Sequence, residues 1–121
     1  LATRLVPDAA DLAATVLGPD RVDAAAREAA WRSAGALLRA AFAAGVLHRD
    51  LNMRNILVQR GTHEAWLLDL DRARIDDAAA GDVLVRNMVA RLHRSRRKLE
   101  SMYGETTSHA ELAAFEEALR G

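Results

Sequence analysis

The chain has 121 residues, 50% of them hydrophobic, with no cysteine and with 17 basic residues balancing 17 acidic ones. That length carries one hydrophobic core rather than two; the lack of cysteine excludes disulfide scaffolds, thiolate metal sites and thiol redox chemistry, and the zero net charge leaves no global field to draw the chain onto nucleic acid or membrane. Alanine supplies 26 residues, which favours closely packed helices, and no apolar run approaches the roughly 20 residues of a membrane-spanning helix, so a soluble domain is expected.

The first six residues end at Pro7, after which Asp8 and Asp11, three positions apart, give a helix-start signature and predict a short helix to about Leu17. Gly18 and Pro19 break it, Asp20 is placed to cap the next helix, and the proline-free, alanine-rich run over residues 21–44 stops at Gly45. This is expected to be the longest buried helix. Residues 56–59 and 65–68 are short apolar runs separated by five polar or small residues, which predicts two antiparallel strands joined as a hairpin. Residues 72–81 read as loop; Asp82 is placed to cap a helix expected to run to about Met102; Ser108 with Glu111 forms a capping box for the last one. The fold class is therefore α+β, mostly helical, with one short hairpin. Trp31, Phe42 and Trp66 are expected in the core.

Polar residues concentrate in two stretches: His48-Arg49-Asp50-Leu51-Asn52-Met53-Arg54-Asn55, between the long helix and the first strand, and Asp69-Leu70-Asp71 at the exit of the second strand. The hairpin is expected to bring them to one mouth. Phosphoryl transfer asks for little more than this: oxygen ligands for a hard cation and a carboxylate to take the acceptor's proton. Asn55 and Asp69 offer the ligands, Asp50 the base, and Asp71 a second carboxylate.

His48-Arg49-Asp50-Leu51 followed by Asn55 resembles the H-R-D-L-x-x-x-N catalytic loop of kinases, with Asp69 where the D-F-G aspartate belongs. Asp50-Leu51-Asn52 followed by Asn55-Ile56-Leu57 resembles more narrowly the lipopolysaccharide inner-core kinases, above all the 3-deoxy-D-manno-octulosonic acid (Kdo) kinases. The likeness continues through Trp66 to Arg72 and from Asn87 through Ser95. The resemblance implies the C-terminal lobe of a protein-kinase-like fold, with residues 1–7 as the hinge strand and the N-terminal lobe, with its glycine-rich loop and strand lysine, supplied by chain outside this sequence; alone, the piece is expected to be inactive. It implies ATP and Mg2+ as cofactors, Asp50 as base, Asn55 and Asp69 as metal ligands, His48 as organiser of the loop and Leu57 in the floor of the adenine pocket. Asn52 stands where protein kinases carry a lysine, so Arg54 and Arg72 are candidates for the positive charge near the transferred phosphoryl.

No A-P-E platform for a peptide follows Asp69, which favours a small-molecule or glycan acceptor. The helix after residue 82 carries Arg86, Arg91, Arg94, Arg96, Arg97 and Lys98, of which Arg91 and Arg94 alone are expected to share a face and to meet an anionic acceptor. By the resemblance that acceptor is a lipopolysaccharide inner-core or lipid A precursor, met in the cytoplasm or at the cytoplasmic face of the inner membrane through peripheral contact. A role for Asp71 and Arg72 competes with a surface ion pair or loop cap, and the other arginines with a solvated helix face. His63, His93 and His109 lack zinc-ligand spacing, and five aromatic residues make no platform for nucleic acid. Two other readings stay open: a kinase of the aminoglycoside or choline type, and a non-catalytic pseudokinase module.

Overall fold

The computed structural model describes residues 8–68, 73–75 and 78–121; of residues 73–75 it describes the backbone. In chain order the elements are β1 (Ala9–Asp11), α1 (Leu12–Val16), α2 (Ala24–Ala43), β2 (Val46–His48), a 3-10 turn (Met53–Asn55), β3 (Ile56–Gln59), β4 (Ala65–Leu67), β5 (Ala73–Ile75), α3 (Asp82–Tyr103) and α4 (His109–Arg120). Helices dominate, and the strands form a three-stranded antiparallel sheet ordered β1-β3-β4 and a two-stranded antiparallel sheet of β2 and β5. Among the described residues no helix is long and apolar enough to cross a membrane.

The caps show how local chemistry yields to pairing. Asp11, not Asp8, caps α1 by accepting from the Ala14 amide at 2.8 Å, because residues 9–11 are drawn out as β1 against β3. Likewise Asp23, not Asp20, caps α2 through the Ala26 amide at 2.9 Å, since Val22 bonds back to the Thr15 carbonyl and keeps the intervening chain extended. The capping box of Ser108 and Glu111 starts α4; Gly81, not Asp82, caps α3, which has Asp82 as its first helical residue and ends at Tyr103, one residue past Met102, with left-handed Gly104 as its C-cap.

Residues expected to be loop include β5, and the expected pair of strands is joined by three more, β1, β2 and β5. Each of these is three residues long, too short for a period-two pattern to register, and each exists by pairing with a distant partner. The β3–β4 hairpin closes over residues 60–64, with the Gln59 amide donating to the Glu64 carbonyl at 2.8 Å.

The core lies between α2 and α4 and beneath the larger sheet. Trp31 is fully buried and meets Phe115 edge to face, ring centroids 5.4 Å apart. Gly35 lets the two helices approach: a Cβ there would collide with the Phe115 carbonyl oxygen. Leu38, Leu12, Met53, Ile56 and Leu92 complete the packing and tie helices to sheet. Phe42 joins this core, whereas Trp66 is only half-buried, opposite Leu57 on the other face of the sheet.

Candidate active site

Alternation along β3 sends Ile56 and Val58 into the core and leaves Leu57 on the half-exposed face, beside Trp66 of β4 and Asp11 of β1. That anchor fixes the end of the polar loop that precedes it. Met53, buried completely, opens the 3-10 turn, and Asn52 caps it: the Asn52 Oδ1 accepts from the Arg54 amide at 2.8 Å, while the Asn55 Oδ1 accepts from the Asn52 amide at 3.1 Å. The Asn52 Nδ2 donates to the Asp50 carbonyl at 2.9 Å. Asn52 thus holds both ends of the loop, and Asn55 is buried with its amide oxygen turned back across it.

His48 is the second organiser. It is 3% exposed, and its Nδ1 accepts from the Asp50 amide at 3.2 Å. An acceptor Nδ1 places the proton on Nε2, which donates to the Leu68 carbonyl at 3.2 Å. Its own amide points at the Met88 sulfur of α3, 3.4 Å away. The Leu68 amide donates to the Asn55 carbonyl at 2.6 Å. The loop therefore grips Leu68 on both sides of its peptide, through His48 and through Asn55, at the residue immediately before Asp69. Asp69, Asp71 and Arg72 themselves lie outside the described residues.

Asp50 is half-exposed, its Oδ1 3.7 Å from the Arg91 guanidinium. It shares a cleft with Asn52, Arg91, Arg94 and Ser95. Arg91 also borders a second hollow against Leu47, His48, Leu84 and Met88. Lys98 lines the cleft of Asp50 together with Arg91 and Arg94, which corrects the expectation that those two arginines alone share a face: seven residues on from Arg91, a helix at about 100° per residue returns within ~20° of its starting direction. Arg54 is exposed and offers its backbone amide, to Asn52.

Ser95 was given no role by sequence reasoning. Its hydroxyl donates to the Leu92 carbonyl at 2.7 Å and accepts from the Met53 amide at 3.1 Å, fastening α3 to the turn that carries Asn55. The available signal was a lone hydroxyl among cations on the helix face of Arg91 and Lys98. Farther along α3, His93 meets Phe115 and Glu116 of α4, and Glu100 accepts from the Thr107 amide just ahead of α4. Burial holds His93 below its ordinary range, helped by Arg96 and Arg97 and opposed by Glu116. Burial would raise Glu100, but hydrogen bonds from Thr107 and Arg96 outweigh it and hold the carboxyl below its usual value.

Donor chemistry in the loop suits a hard divalent cation: an amide oxygen on Asn55 with a second lone pair beyond the one given to Asn52, and carboxylates nearby in sequence.

Residues 1–119 match the model of the lipopolysaccharide kinase (Kdo/WaaP) family. A 3-deoxy-D-manno-octulosonic acid kinase of Xanthomonas campestris pv. campestris (strain B100) is 42% identical over 80 residues, 66% of this chain and 31% of the relative. One of Actinobacillus succinogenes is 36% identical over 95 residues, 77% of this chain and 36% of the relative. The chain thus spans about a third of the length of the curated relatives it matches. Among solved structures, WaaP in complex with acyl carrier protein superposes with a TM-score of 0.75 at 16% identity, over 96% of this chain and 48% of that one; it shares the arrangement of helices around small antiparallel sheets. The match across nearly the whole sequence, with the fold to accompany it, makes this chain a member of the lipopolysaccharide kinase (Kdo/WaaP) family.

Proposed function

We propose that this chain is the catalytic-loop lobe of an ATP-dependent kinase that phosphorylates a sugar hydroxyl of the lipopolysaccharide inner core, a Kdo or heptose residue. One observation supports this above the others: His48 and Asn55 both bond the peptide of Leu68, so the stretch leading into Asp69 is registered against the loop that carries Asp50. Family membership and relatives named as Kdo kinases support the same reading.

In this reading Asp50 faces the acceptor. Its carboxylate takes the hydroxyl proton as the acceptor oxygen bonds to the γ-phosphorus and the bond from that phosphorus to the bridging oxygen of ADP breaks. His48 keeps the Asp50 backbone fixed while leaving the carboxylate half-exposed toward substrate. Asn55 and Asp69 would hold Mg2+, which when bound neutralises charge on the nucleotide phosphates. Asn52 maintains the loop rather than touching phosphate, given that its side-chain oxygen and nitrogen are both engaged by the backbone. Leu57 faces the side on which adenine would rest; Asp71, Arg72 and Arg54 stand as accessory groups. The glycine-rich loop and strand lysine belong to an N-terminal lobe, and the acceptor is met at the cytoplasmic face of the membrane.

The test is transfer of label from γ-labelled ATP to Kdo-bearing lipid A by the full-length protein with magnesium. Wild type is expected to label the lipid, and Asp50→Asn to lose about 100- to 10,000-fold in kcat. Labelling of aminoglycoside or choline instead would move the acceptor to another class, and no transfer to any acceptor would leave a binding module.

A further inference from the structure

Two side chains of α3 accept backbone amides from the polar loop of residues 48–55. The Met88 sulfur accepts from the His48 amide at 3.4 Å, and the Ser95 hydroxyl accepts from the Met53 amide at 3.1 Å. The two acceptors are seven residues apart, so on a helix at about 100° per residue they return to within ~20° of one direction and stand roughly 10 Å apart along the axis. The amides they hold bracket Asp50, which therefore sits in a span of chain fastened at both ends to one helix. Arg91, between the two acceptors on α3, reaches Asp50 at 3.7 Å.

Packing alone does not call for these two acceptors. Met88, Leu92, Ser95 and Leu99 fall within roughly 60° of one another around the helix, and Met88, Leu92 and Leu99 are buried in the core. Ser95 is thus a hydroxyl in a stripe where an aliphatic side chain would bury more apolar surface. Its bond to the Leu92 carbonyl at 2.7 Å uses the hydroxyl proton and leaves the oxygen lone pairs for Met53. At position 88 leucine would fill a similar volume but could accept nothing from His48. The Met53 end of the loop opens the 3-10 turn that presents Asn55, whereas the His48 end leads into Asp50.

We propose, resting on the kinase reading above, that Met88 and Ser95 are positioning residues, a two-point clamp through which α3 sets the geometry of the catalytic loop. The sulfur acts on Asp50 through the His48 amide, and the hydroxyl acts on Asn55 through the Met53 amide. In the full-length protein, Mn2+ binding with a non-hydrolysable ATP analogue and label transfer from ATP to Kdo-bearing lipid A read the two contacts separately. Ser95→Ala is expected to weaken Mn2+ binding roughly 10-fold, and Ser95→Thr, which keeps the hydroxyl, to restore most of that loss. Met88→Leu is expected to lower kcat on the order of 10-fold, with Mn2+ affinity and the KM for ATP within about twofold of wild type. Gly35→Ala, at the α2–α4 contact, is the control for lost stability: below its Tm it is expected to keep wild-type Mn2+ affinity and kcat. Because Met88→Leu conserves volume, its kcat decides the matter if Ser95→Ala does not fold. Wild-type Mn2+ affinity in Ser95→Ala where Asn55→Ala weakens it, wild-type kcat in Met88→Leu, or losses in Gly35→Ala equal to those of the two α3 variants would each overturn the clamp and leave the kinase reading intact. Failure of wild type to transfer label to any acceptor would instead overturn the kinase reading itself.

Discussion

His48 does more with one ring than its place in a loop motif announces. It fixes the Asp50 amide with one nitrogen and the Leu68 carbonyl with the other, and replacing it by alanine leaves a buried amide and a carbonyl to find new partners. In the full-length enzyme His48→Ala is expected to lower kcat roughly 10- to 100-fold, the usual scale for a group that orients reacting residues, with the far-ultraviolet circular dichroism unchanged. A loss of less than about twofold would remove His48 from the organising role. Ser95→Ala leaves the Met53 amide without its acceptor and should cost about 1–3 kcal/mol of stability, read as a shift in the denaturant midpoint; no shift would show the bond to be incidental. The organised loop that holds His48, Asp50 and Asn55 was legible because a polar run of fixed spacing stands out between a helix and a strand. Ser95 was not: a serine in a basic helix reads as surface, and its partner lies 42 residues away, a distance that no local pattern spans.

Among the elements, the helices were legible and the minor strands were not. The periods of α2, α3 and α4 are long enough to declare themselves, and the capping box of α4 is local chemistry. Asp8 and Asp20 read as the caps of α1 and α2, and tertiary pairing moved each cap three residues on, to Asp11 and Asp23. The α2–α4 contact is where stability should be most sensitive: Trp31→Ala is expected to cost about 3–5 kcal/mol, and Gly35→Ala to lower Tm because the helices must separate. A wild-type Tm for Gly35→Ala would mean that the close approach is not needed.

The joint between α3 and α4 should also respond to acid. His93 is held below its reference value of 6.5 by burial, Arg96 and Arg97, and Glu100 is held below 4.5 by hydrogen bonds that outweigh burial. For both groups the unfolded chain takes up protons at a higher pH than the folded one does, so the stabilisation is full above the unfolded value and is lost as pH falls through the folded value. Tm should decline as pH falls below about 6.5, with a further decline below about 4.5. His93→Gln should flatten the first step and leave the second; an unchanged profile would exclude His93 as its source.

At the scale of the molecule, a helical body positions one loop against one strand end, and the proposed chemistry depends on their convergence. The described residues carry that convergence as far as Leu68, held by His48 and Asn55. The mixed helical fold with its antiparallel hairpin was legible from composition and periodicity, and the polar loop of residues 48–55 stood out as a motif whose catalytic role is the proposal above. The second sheet was not, since β2 and β5 are joined only by the folded chain. The most direct measurement is Mn2+ affinity, by electron paramagnetic resonance with a non-hydrolysable ATP analogue, in the full-length protein and in three variants. Asn55→Ala and Asp69→Ala are expected to weaken Mn2+ binding about 10-fold or more, while Asp50→Asn keeps wild-type affinity and loses turnover. Wild-type Mn2+ affinity in both Asn55→Ala and Asp69→Ala would contradict a single site built from these two stretches.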